Sequence, residues 1–267
     1  MKEALTHTAQ SAADYTAGKS LWEMTRLARF DVDDPDGNFI QARLALEGGR
    51  SLLLYVNHIS KWDPVLIARF TDRYITPIRN TSGIAGLKHY DPQRAESSKF
   101  TRGATKAIQD HTGLGVILVV QDYDKDQYKE PSPSTGNRTV EQFNSKAYIQ
   151  AAKTLRTPGQ ILFVAPEGTR SPTGALQEAE NGLDILFSLS KGNALAMPVA
   201  IETEDGVPIK IGPLKNAVLR PGELFSLEDL DQDQMDNPDI NRTDLMMIRL
   251  ASLLSPANQG EYRKYLE

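Results

Sequence analysis

Cysteine is missing from all 267 residues. That absence removes disulfides, thiolate nucleophiles and Cys-based zinc sites together, and it leaves the redox compartment unreadable. Long apolar runs are missing too. The longest, 113–120 and 161–166, fall short of the roughly 20 residues a membrane-spanning helix needs. The first thirty residues lack the apolar core of a signal peptide. The chain is therefore expected to be soluble or attached to a membrane surface. Neither sign of charge dominates. A formal net charge of -5 argues against a nucleic-acid binder, whose face is usually basic. Several motifs are absent as well: Gly-x-Ser-x-Gly, His-Glu-x-x-His, Gly-x-Gly-x-x-Gly after the first strand, and a Walker loop. A lipase-type serine elbow, a metal site of that kind, a dehydrogenase and a nucleotide hydrolase are left without support.

What is present reads as an α/β chain. Hydrophobic residues make up 40% of it, enough for a substantial core in one large domain or two small ones. Strands are expected at 52–56, 73–79, 113–120, 160–165 and 194–202, the last interrupted at Pro198. Gly83 to Tyr90 reads as a turn with a short helix. The 113–120 strand is apolar enough to be covered on both faces. Helices are expected within 1–30 in two pieces, and at 64–70, 95–111, 148–155, 180–190 and 244–254. Phe39 to Leu46 reads as helical or extended, 207–211 as a hairpin arm, and 228–239 as a solvated turn or exposed helix start. The stretch 121–146, built around Pro131-Ser-Pro-Ser-Thr-Gly136, reads as a surface loop or lid. The expected architecture is a mixed central sheet flanked by helices. Residues 1–50 would be an N-terminal helical segment packed on the core. Residues 51–267 would form one α/β domain with a surface insertion at 121–146.

Two segments that follow strands carry chemistry-bearing side chains. The first is Asn57-His58-Ile-Ser60-Lys-Trp-Asp63-Pro64, after the strand 52–56. An imidazole can take a proton from an alcohol near neutral pH, and a carboxylate can fix its tautomer. Asp63 could equally cap the helix that opens at Pro64, and Asn57 and Ser60 could hold the turn or bind substrate. The second is Glu167-Gly168-Thr169-Arg170-Ser171, after the strand 160–165. Arg170 could fork onto a phosphate or carboxylate. Glu167 could orient Arg170 or grip a substrate hydroxyl, or the two could simply stitch the turn together. In such folds ligands gather beyond strand ends, so both segments could face one cleft. A base with no enzyme nucleophile suits an outside alcohol attacking an activated carbonyl.

These two segments resemble a known pair of blocks. Asn57-His-Ile-Ser-Lys-Trp-Asp63 is similar to the His-x4-Asp block of the glycerolipid acyltransferases, the glycerol-3-phosphate and 1-acylglycerol-3-phosphate acyltransferase family. Phe163-Val-Ala-Pro-Glu-Gly-Thr-Arg-Ser171 resembles their Pro-Glu-Gly-Thr-Arg-Ser block. Ala196-Met-Pro-Val-Ala200 sits where they carry an apolar strand with proline. The resemblance covers roughly Leu52 to Glu202. It implies His58 as general base and Asp63 as the residue that orients and polarises it. Glu167, Gly168, Thr169 and Arg170 would help bind the acceptor, with Arg170 near its phosphate, and Pro198 would shape a pocket. The acyl donor would be acyl-CoA or acyl-carrier protein, with no metal and no other cofactor. The partners implied are that donor, a glycerolipid-type acceptor and a membrane surface, with no nucleic acid. The implied location is cytoplasmic and peripheral, on the inner face of a membrane. One block departs from the pattern. Gly86-Leu-Lys88-His89-Tyr-Asp-Pro-Gln-Arg94 occupies the interval where the family has a glycine leading to an arginine. There Lys88, His89 and Arg94 are the candidates for contacting the acceptor. A non-catalytic lipid- or carrier-binding protein and an acyl thioesterase are the alternative readings.

Overall fold

The computed structural model describes residues 18–25, 30–60, 62–91, 99–128, 131–180, 182–203 and 217–267. Helix α1 covers residues 18–24. The other elements are β1 (Phe30–Val32), α2 (Asn38–Glu47), β2 (Ser51–Val56), α3 (Asp63–Phe70), β3 (Thr81–Gly86), α4 (Lys99–Thr112), β4 (Gly115–Val119), α5 (Val140–Arg156), β5 (Ile161–Val164), α6 (Leu183–Ser188), β6 (Ala194–Thr203), β7 (Ala217–Pro221), α7 (Leu227–Asp236) and α8 (Arg242–Ala251). Short 3-10 segments cover Asp122–Tyr128, Pro133–Thr135 and Gly260–Tyr265.

The strands form one seven-stranded mixed sheet in the order β1-β7-β6-β2-β5-β3-β4. Strands β6, β2, β5, β3 and β4 run parallel, so their C-terminal ends share one rim. β7 turns back antiparallel to β6, and β1 pairs parallel with β7. β2 is central and every one of its residues is buried. Its alternation sends Leu53 and Tyr55 to one face and Leu52, Leu54 and Val56 to the other. The first face is covered by α5, α6 and α8. The second is covered by α2 and α3. The fold is thus α/β with a mixed central sheet flanked by helices. Among the described residues no helix is long and apolar enough to cross a membrane.

Several local expectations change. The stretch expected as a strand at 73–79 continues α3 as a π-helical turn, Thr71–Ile75, followed by a 3-10 turn, Ile78–Asn80. Its apolar residues serve helical packing: Tyr74 and Ile75 join the α3 face of the core, and Ile78 packs with Trp22 and Ala68. The strand begins later, in the glycine-rich run first read as a turn. Small residues there reflect close neighbours. A Cβ on Gly83 would sit 3.1 Å from the Phe163 ring, and one on Gly115 would meet Ser82 Oγ at 2.3 Å. β4 is an edge strand whose faces are only partly covered: Ile117 is buried, Val119 packs on the same side, and Leu118 packs on the other. α5 starts at Val140, inside the stretch read as a loop, because Thr139 and Gln142 form a reciprocal capping box. Of the two readings of 228–239, the helix holds: α7 (Leu227–Asp236) begins there, capped in the same way by Ser226 and Asp229. The 207–211 arm and the first helical piece of the N-terminus lie outside the described residues.

β6 passes through Pro198 without interruption. The Pro198 carbonyl accepts from Gly222 N at 2.8 Å. Backbone N and O of one strand residue point to the same side. The missing N–H therefore faces the Gly222 side, just past the end of β7 at Pro221, where the regular ladder stops.

A loop from Ser171 to Glu180 is held by the far end of the described chain. Leu176 N donates to Asn258 O at 2.9 Å, Glu261 N donates to Leu176 O at 3.2 Å, and Ala179 N donates to Tyr262 Oη at 3.1 Å. Gly260 is required there, since any Cβ would overlap the Leu176 carbonyl.

Candidate active site

His58 and Glu167 leave the sheet from the ends of two adjacent parallel strands, β2 and β5. Their meeting is therefore a product of the sheet order. Asn57 fixes the first of these strand ends. Its Nδ2 donates to Ile201 O at 2.8 Å and its Oδ1 accepts from Ile201 N at 2.7 Å, tying β2 to β6. With both amide atoms engaged and the residue buried, Asn57 holds the turn. Ser60 does likewise, accepting from Trp62 N at 3.0 Å.

His58 Nδ1 lies 2.8 Å from Asp63 Oδ2. The same oxygen accepts from Ile59 N at 2.7 Å and Ser60 N at 2.8 Å. Asp63 does not cap α3. It sits in the first turn, where the helix dipole favours a carboxylate, and turns back onto the loop that carries His58. The carboxylate is fully buried, whereas the imidazole keeps 21% of its surface exposed. A buried carboxylate that accepts from Nδ1–H leaves Nε2 with the lone pair. The His/Asp dyad that the acyltransferase resemblance implies is formed.

Glu167 joins the two segments. Its Oε1 accepts from the His58 backbone amide at 2.6 Å, and its Oε2 accepts from Gln177 N at 2.9 Å. Ser171 N in turn donates to His58 O at 2.6 Å. His58 is thus clamped through both of its main-chain polar groups by the turn that follows β5. Glu167 is buried and its carboxyl is pushed up to about 7. Burial is the main cause, opposed by the hydrogen bonds from His58 and Gln177. Both of its oxygens are occupied by the protein, and no hydrogen bond or ion pair joins it to Arg170.

Gly168 adopts φ +66°, and a Cβ there would stand 2.8 Å from the Glu180 carboxyl. Thr169 and Arg170 are exposed. The Arg170 guanidinium has no hydrogen bond or ion pair among the described residues. Lys88 follows β3 on the same rim. Its Nζ donates to Tyr123 Oη at 2.8 Å and lies 3.4 Å from Asp124 Oδ2. The Tyr123 hydroxyl donates to Gln121 Oε1, and Gln121 Nε2 donates to Gly168 O. Lys88 thereby reaches the Gly168 turn through two side chains. His89 is exposed beside it, and Arg94 lies outside the described residues. Pro198 is buried within β6 in register with Tyr55, three residues before the cross-strand bond at Ile201.

Sequence reasoning missed Gln121, Tyr123, Asp124 and Gln177. The first three lie in what reads as a featureless loop, and their polar spacing carries no period. Gln177 could have been found only by asking what a buried Glu167 would need as a partner.

No protein-family model matches the chain, and no curated protein sequence matches it. Among solved structures it is similar to the 1-acyl-sn-glycerophosphate (LPA) acyltransferase of Thermotoga maritima. The TM-score is 0.48 and the identity 14%, over 91% of this chain and 78% of that one.

Proposed function

We propose that the protein is an O-acyltransferase. It moves a fatty acyl group from acyl-CoA or acyl-carrier protein to the hydroxyl of a glycerol phosphate or lysophospholipid-like acceptor. The observation that carries this reading is the 2.8 Å bond between part-exposed His58 and buried Asp63. It sits one hydrogen bond from the Glu167–Ser171 turn.

His58 Nε2 takes the acceptor hydroxyl proton as that oxygen attacks the thioester carbonyl carbon. Asp63 steadies the imidazolium that forms. The tetrahedral adduct collapses, the C–S bond breaks, and the departing sulfur takes the proton back from Nε2. The ester and the free thiol leave without an acyl-enzyme. Arg170, with no carboxylate partner among the described residues, is the group suited to an anionic part of the acceptor. A lipid acceptor places the reaction at a membrane surface, with the protein peripheral on its cytoplasmic face.

The test pairs acyl-CoA and acyl-carrier protein with a panel of acceptors, reading thiol release and product mass together. An ester formed by the wild type and lost in His58→Ala is the expected result. Free fatty acid as the sole product would mean hydrolysis instead. Tight lipid binding without thiol release from any donor would mean a binding protein.

A further inference from the structure

The described cations at or beside the strand-end rim are not equivalent. Lys125 stands 2.7 Å from Asp122. Arg220 is paired with Glu202 and, at 2.9 Å, with Asp33. Lys88 is held by Tyr123 and Asp124. Arg170 alone among these has no carboxylate partner. It also directly precedes Ser171, whose amide is bonded to His58 O.

We propose that the acceptor subsite beside His58 takes an anion of single charge, a lysophospholipid whose phosphate is a diester, held by Arg170, and that the Lys88–Asp124 pair keeps phosphate monoesters out. This rests on the acyl-transfer reading above and chooses between its two acceptor classes.

A phosphate monoester carries close to two negative charges at neutral pH. Neutralising it takes a second cation, and Lys88 is the described lysine that reaches the Gly168 turn, through Tyr123 and Gln121. Lys88 is not free to move to the ligand. Asp124 is buried, and taking Lys88 away would leave an uncompensated buried carboxylate. Tyr123 adds a second restraint, because its hydroxyl is bonded to Lys88 and Gln121 and lies 3.3 Å from Gly168 O. The segment carrying both partners is itself anchored. Tyr128 Oη donates to Asp91 at 3.1 Å, and Val120 N donates to Asn144 Oδ1 at 2.8 Å. The Glu180 carboxyl, set against Gly168, adds negative charge on the same side. A diester monoanion needs only one guanidinium, and Arg170 supplies one that has no carboxylate partner among the described residues.

The experiment is equilibrium binding by calorimetry, below micelle concentration. The ligands are a short-chain 1-acylglycerol 3-phosphate and its phosphate methyl ester, which differ in one charge. The wild type is expected to bind the methyl ester at least tenfold more tightly. Asp124→Asn frees Lys88 and is expected to narrow that ratio to about threefold. Lys88→Met should leave the wild-type ratio in place, and adding it to Asp124→Asn should restore the preference. Equal or tighter binding of the monoester by the wild type overturns the proposal. So does a ratio unmoved by Asp124→Asn in a folded variant, or binding of neither ligand. Acyl transfer is measured separately with both ligands. If the binding preference stands and no ester forms with either donor, the acyl-transfer reading fails and the charge selectivity survives.

Discussion

The backbone amide of His58 and the carboxylate of Glu167 are joined at 2.6 Å. Glu167 is therefore a positioning residue, holding the candidate base by its main chain. Its carboxyl is raised by burial from 4.5 to about 7. The folded protein thus binds a proton there that the unfolded chain releases at lower pH. Stability from this group is fully present below pH 4.5 and is lost as the pH rises through about 7. The gap corresponds to about 3 kcal/mol. Glu167→Gln should remove that pH dependence. Urea unfolding of both proteins from pH 4.5 to 8 reads it directly, and a wild-type-minus-variant difference that stays constant across the window would refute it.

His58 and Asp63 should separate chemistry from stability. His58→Ala removes a part-exposed ring and one of three donors to the buried Asp63 carboxylate, and is expected to cost about 1–2 kcal/mol, while acyl transfer falls by about a thousandfold. Asp63→Ala strips the acceptor from the buried amides of Ile59 and Ser60. Unsatisfied buried donors cost about 1–3 kcal/mol each, so this variant should be destabilised by about 3 kcal/mol besides losing activity. Thermal unfolding and single-turnover thiol release on both variants decide it.

Arg170→Ala should raise the KM for an anionic acceptor by about tenfold or more, in line with the loss of a charge-assisted hydrogen bond. The KM for the donor should not move. A change confined to the donor would place Arg170 on the other substrate.

Gly168→Ala should fail for two reasons that can be separated. The +66° φ disfavours any side chain, and the new Cβ meets the Glu180 carboxyl. Glu180→Ala in the same protein should relieve the contact and leave the backbone cost, about 1 kcal/mol. Partial recovery of the melting temperature in the double variant is the expected result. Full recovery would show that the backbone at 168 had moved.

The parts of the fold that were legible are those where one local signal decides. Leu52 to Val56 is apolar throughout, because β2 is covered on both faces. His58 and Asp63 stand out as a base and a carboxylate beyond a strand. The parts that were not legible are those where a neighbour decides. β3 looks like a turn because Gly83 and Gly86 are small, yet they are small because Phe163 and Gln121 press on them. Tyr74 and Ile75 look like strand residues because they are β-formers, yet α3 runs into them and the core takes them as helix. Asn57 looks like a ligand residue because it is polar beside a histidine. Only the register of β6 shows that Ile201 uses up both of its amide atoms.

The 258–262 stretch, remote from the rim in sequence, carries the loop that presents Gln177 to Glu167. Contact therefore runs from Asn258 through Leu176 and Gln177 to Glu167 and then to the His58 amide. Clipping this stretch, or fusing a bulky tag that strains it, would read in an assay as damage to the base itself. The candidate base can be silenced by a lesion at the opposite end of the sequence that touches no reacting atom.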